Sequence, residues 1–100
     1  MTPRVAVPKE AIHAFCSKWS ITELALFGSV LRDDFRQDSD IDVLVTFADG
    51  THWSGYDVVD MIEELKIIFG RDIDFVEKPA IRNPFRRQEI LRTAQVLYAA

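Results

Sequence analysis

Three stretches of the chain carry residue types that could do chemistry together. Gly28-Ser29 closes an apolar run from Ile21 to Phe27, and Asp40-Ile41-Asp42 opens a second apolar run that ends at Phe47. Ten residues separate Ser29 from Asp40. Glycine tolerates positive φ and lets a ligand come close to the main chain. Ser29 adds a small hydroxyl where a short helix could begin, with its first N–H groups free. A corner of that kind suits phosphate oxygens. Asp40 and Asp42 are two residues apart, so on a strand both side chains leave the same face. Paired carboxylates beside a phosphate cradle could seat Mg²⁺ carrying a nucleoside triphosphate. The third stretch is Arg71-Asp72-Ile73-Asp74-Phe75-Val76, in which Asp72 and Asp74 share one strand face and Ile73 and Phe75 the other.

The elements that must hold these residues follow from periodicity. Ile12, Phe15, Cys16 and Trp19 keep helical spacing, and Pro8 suits a helix's first turn. Cys16 belongs to that stripe, which predicts a packed thiol rather than a nucleophile; His13 falls off it, on the exposed side. Ile21–Phe27 and Asp40–Phe47 are predicted strands, and Val30–Phe35 a short helix between them. Ser54 with Asp57 three residues on is a helix start, and Gly70 a helix stop. Val58, Ile62, Leu65 and Phe69 form the expected buried stripe, widened by Val59 and Ile68. Arg71–Val76 is the third predicted strand. Asn83-Pro84 starts a last helix, predicted over Phe85–Tyr98, with Ile90, Leu91, Ala94, Leu97 and Tyr98 inward and Arg82, Arg86, Arg87 and Arg92 crowding its first half. Those arginines make either a solvated basic face or a contact for triphosphate or an acidic partner. His52, Trp53 and Tyr56 could approach a base, although core or rim roles are the commoner fate of such residues. Periodicity gives the order α-β-α-β-α-β-α and leaves strand direction open.

Gly-Ser, ten residues, then Asp-x-Asp, set between two apolar runs, resembles the signature of the DNA polymerase beta-type nucleotidyltransferases. The small size is similar to that of their minimal MNT branch, the antitoxins of HEPN–MNT toxin–antitoxin pairs. The resemblance takes in Leu26-Phe27-Gly28-Ser29, Arg32, Asp38 to Val45, Gly70 to Val76 and the basic C-terminal segment, nearly the whole chain. It implies a small mixed α/β (α+β) sheet of three to four strands with helices mainly on one face. It also implies that Gly28 and Ser29 hold triphosphate oxygens, and that Asp40 and Asp42 ligate Mg²⁺ and share a second Mg²⁺ with Asp74. Asp74 is the third carboxylate by this likeness. A charge flanked by Ile73 and Phe75 needs a partner such as a metal, or bears its desolvation alone. Arg32 either reaches back to the phosphates or pairs with Asp33, Asp34 or Asp38 at the surface. Asp33 itself departs from the glycine many relatives carry there.

The implied activity is AMP transfer from ATP to a hydroxyl, by resemblance a tyrosine of a HEPN ribonuclease toxin encoded next door. Two other readings stay open: a non-catalytic antitoxin that works by binding, and an aminoglycoside-type small-molecule nucleotidyltransferase. The absence of room for a second domain in 100 residues weighs against the latter. One domain spanning 1–100 is expected. A net charge of −4 argues against broad charge-driven nucleic-acid binding. One cysteine excludes an intrachain disulfide. With no 18-residue apolar run and no signal-like start, the expectation is a cytoplasmic protein away from the membrane.

Overall fold

The structure is a computed structural model that describes residues 8–28, 40–78 and 83–100, excepting the Arg86 side chain. The described elements run α1 (Lys9–Lys18), β1 (Ile21–Phe27), β2 (Ile41–Phe47), α2 (Gly55–Phe69), β3 (Ile73–Glu77), α3 (Pro84–Thr93) and β4 (Gln95–Ala99). The predicted Val30–Phe35 helix lies outside the described residues. The four strands form one sheet in the order β3-β2-β1-β4. β1 runs antiparallel to both β2 and β4, while β2 and β3 are parallel. Parallel neighbours need a crossover, and α2 supplies it.

Both ends of α2 are written into the chain. Ser54 Oγ accepts from the Asp57 N–H at 3.2 Å, and an Asp57 carboxylate oxygen accepts from the Ser54 N–H at 2.9 Å. This reciprocal capping satisfies two N–H groups that the helix itself leaves open. Gly70 stops the helix at φ 69°, its N–H donating to Lys66 O at 2.7 Å.

The sheet separates two apolar clusters. On one face Ile12, Phe15 and Cys16 of α1 and Trp19 at its C-cap meet Met61 and Leu65 of α2 over Leu24, Leu26, Ile41, Val43 and Val45. On the other face Ile90 of α3 closes a smaller cluster with Ala25, Phe27 and Leu44. The α1 stripe therefore packs as its spacing predicts. Burial pushes the Cys16 thiol up to about 12, so it stays protonated and inert. In α2 the deepest residues are Met61 and Leu65, whereas Val59, expected to widen the stripe, is exposed. The crossover rotates the helix toward Met61, and Ile68 and Phe69 complete that contact.

The last segment corrects the expectation. The helix predicted to Tyr98 ends at Thr93, and Gln95–Ala99 is a strand on the outer edge of β1. β1 is apolar on both faces, and an unpaired edge there would leave its backbone groups without partners. Val96, Leu97 and Tyr98 suit a pleated surface, so pairing overrides the helical spacing. Leu97 and Tyr98 pack on the main cluster, but as strand residues, and Leu91 is exposed rather than inward. Among the described residues no helix is long and apolar enough to cross a membrane.

Candidate functional site

The candidate site is assembled at the end of the sheet where β2 and β3 begin. Alternation along β2 turns Ile41 and Val43 into the main cluster, where both are fully buried. Asp42, between them, must therefore leave the opposite face. Its antiparallel partner is Phe27 of β1, and its parallel partner is Asp74 of β3. Residues abreast on neighbouring strands point the same way, about 4.8 Å apart in strand spacing. Two carboxylates thus stand side by side on one face. A hydrogen bond from the Ile41 N–H to the Asp72 carbonyl, 2.9 Å, ties the start of β2 to the start of β3 and fixes that register. Asp40 lies two residues before Asp42, immediately ahead of the strand, and is exposed.

Gly28 ends β1 beside this pair with φ 71°, a conformation that favours glycine. A Cβ built on Gly28 would fall on the Asp42 carboxylate, inside contact distance of Oδ2 and 3.1 Å from Cγ. The glycine corner and the first carboxylate are therefore in direct contact. Ser29 and Arg32 lie outside the described residues.

The third carboxylate differs from its sequence-based rationale. Asp74 is exposed, because β3 is an edge strand and Ile73 and Phe75 turn to the other face. Desolvation does not distinguish it from Asp72, which is exposed as well. In register, Asp74 is the residue level with Asp42. Among the described residues, no three His, Cys, Asp or Glu side chains come together closely enough to cage an ion. The backbone brings the acidic positions to one place, and their carboxylates do not converge there into a finished cage. In donor chemistry the set suits Mg²⁺, which takes a few carboxylate oxygens and completes its octahedron with water and phosphate. Like charges abreast on adjacent strands also repel, and a divalent cation would relieve that repulsion.

The basic segment sits over the same face. α3 reaches it through Ile90, which packs with Phe27 and Leu44. Arg87 is exposed, whereas Arg92 is held by Glu89 at 2.6 Å. Arg82 is outside the described residues. Sequence reading found these arginines but not their sheet face, because that depends on where α3 docks.

The aromatic candidates lie elsewhere. Trp53 packs edge-on to Trp19, with ring centroids 5.1 Å apart, and donates Nε1–H to the Trp19 carbonyl at 3.1 Å. It is a structural buttress. His52 is exposed and Tyr56 is almost fully so. Both follow the far end of β2, about 16 Å along the strand from Asp42.

Three comparisons bear on this geometry. Residues 8–97 match the family described as "Nucleotidyltransferase domain". A Methanocaldococcus jannaschii protein named "Putative protein adenylyltransferase" is 34% identical over 73 residues, 73% of each chain. Among solved structures, a toxin–antitoxin complex with AMP-PNP contains a chain that superposes with TM-score 0.72 at 19% identity, covering 94% of this chain and 75% of that one. A complex of tri-AMPylated Shewanella oneidensis HEPN toxin with MNT antitoxin gives TM-score 0.64 at 18% identity, covering 92% and 70%. At those identities the two structural likenesses concern the fold.

Proposed function

Since the chain belongs to the nucleotidyltransferase domain family, we propose that it transfers AMP from ATP to a tyrosine hydroxyl of a HEPN-type toxin and so acts as that toxin's antitoxin. The observation that carries this reading is Asp42 standing level with Asp74 and in contact with the Gly28 corner. The names of the relatives, an adenylyltransferase and a complex with an AMPylated toxin, support the donor and the acceptor class. The AMP-PNP complex supports a triphosphate as substrate.

Each residue has a role in this proposal. Gly28 and Ser29 offer backbone N–H groups and a hydroxyl to the β- and γ-phosphate oxygens. Asp40 and Asp42 would hold the Mg²⁺ of the triphosphate and would share a second Mg²⁺ with Asp74. When bound, such ions acidify the acceptor hydroxyl and offset charge on the attacking and leaving oxygens. Asp74 would take the acceptor proton. The hydroxyl oxygen forms a bond to the α-phosphorus, the bond from that phosphorus to the bridging oxygen breaks, and pyrophosphate departs. Arg32 steadies the phosphates. The 100 residues work as one minimal domain in the cytoplasm, and acceptor choice rests with the partner.

A second reading is favoured by one observation, the lack of a ready-made cage among the described residues. In it the chain neutralises its toxin by occlusion. ATP labelled at the α-phosphate, incubated with Mg²⁺, this protein and the neighbouring gene product, separates the two. Transfer predicts label on the partner that disappears when Asp40 and Asp42 are both changed to Ala. Occlusion predicts no label and unchanged protection by the double variant.

A further inference from the structure

We propose that Gly28 is a positioning residue for Asp42: the absence of a side chain there is what allows the Asp42 carboxylate to stand where it can meet a cation. This rests on the reading of Asp42 as a metal ligand and adds a residue that acts through it. The chain has four glycines. Around Gly50, Gly55 and Gly70 a built Cβ meets nothing within 4 Å, although Gly50 and Gly70 also have positive φ. At those two, backbone conformation alone accounts for glycine. Gly28 is different, because the space a side chain would take is already filled by Asp42 Oδ2 and Cγ.

Asp42 has little freedom to give way without leaving its place. Its backbone is pinned between Phe27 and Asp74 by strand pairing on both sides. Ile41 and Val43, buried in the main cluster, prevent the strand from rolling. Phe27 is itself buried and fills the same face next to it. A methyl group at position 28 would therefore be accommodated by the one mobile part, the carboxylate, rotating away. The fold survives such a rotation, and cation binding does not.

The test separates this steric role from backbone strain. The full chain is prepared with glycine, L-alanine (Gly28→Ala) or, by chemical synthesis, D-alanine at position 28. D-alanine is at ease at φ near 71°, and its methyl replaces the α-hydrogen other than the one whose direction Asp42 fills. Mn²⁺ binding to each protein alone is followed from the free-ion electron paramagnetic resonance signal, with thermal unfolding alongside. Losing a residue that orients a ligand weakens metal binding by about 10- to 100-fold. Gly28→Ala should fall in that range, and the D-alanine protein should stay near the parent. On an Asp42→Asn background, Gly28→Ala should cause no further loss, because its target is already gone. Equal weakening by L- and D-alanine, parent-like binding by Gly28→Ala, or additive losses in the double variant would overturn the positioning role. Mn²⁺ binding left unchanged by Asp42→Asn alone would instead overturn the metal-ligand reading, and the positioning role with it.

Discussion

Asp74→Asn should make the protein inactive and, without divalent ions, slightly more stable. Asp42 and Asp74 are level on parallel strands and share a face. At a strand spacing of about 5 Å, two unit charges in water-like surroundings repel by about 0.8 kcal/mol. Like-charged cross-strand pairs cost about 0.2–1 kcal/mol by substitution. Asp74 is exposed and Asp42 half-buried, which places the effect near the middle, about 0.5 kcal/mol. For a domain of this length that is a rise of about 2–4 °C in Tm. Calorimetry in EDTA at low ionic strength is the assay, repeated at 1 M salt, where screening should remove most of the gain. With Mg²⁺ and AMP-PNP the order should invert, since only the parent gains full stabilisation from the bound ions. A variant that is less stable than the parent in EDTA, or a gain that persists at high salt, would rule out repulsion between Asp42 and Asp74 as the cause.

Further outcomes follow from the same structure. Ser54→Ala should cost about 1 kcal/mol through loss of the reciprocal cap, with Gly70→Ala costing a similar amount through φ alone, both read from urea midpoints. Leu97→Asp should destabilise by more than about 2 kcal/mol while Val96→Lys stays within about 0.5, because Leu97 packs on the core and Val96 is half exposed. The Cys16 thiol, pushed up to about 12 from an ordinary 9.0, should react with thiol reagents only through unfolding. Its raised value favours the protonated fold below pH 9, and that contribution erodes as pH climbs toward 12. Alkaline denaturation should therefore be milder in Cys16→Ala after correction for its lower starting stability.

Local signals in the chain were strong where the physics is local. Ser54, Asp57 and Gly70 announce both ends of α2 because capping involves neighbours in sequence. The apolar-rich runs Ile21–Phe27 and Ile41–Phe47 announce the two central strands, and the α1 stripe its helix. The segment after Thr93 misleads because Leu97 and Tyr98 fall at helical spacing from Ile90 and Leu91, while the bonds that decide the matter come from β1, some seventy residues earlier. The site was half legible. Gly28, Asp40 and Asp42 declare themselves by type and spacing. That Asp74 stands level with Asp42 follows from the parallel register of β3 with β2, a long-range fact that periodicity does not carry. The contact between Gly28 and Asp42 has no sequence signal, since it depends on β1 ending level with the start of β2.

The most direct measurement is the anomalous scattering of Mn²⁺ in crystals grown with AMP-PNP. A peak is expected in contact with the carboxylates of Asp42 and Asp40, on the face shared with Asp74, with the triphosphate against Gly28. Manganese bound to nucleotide but remote from Asp42, or seated at another part of the fold, would contradict it.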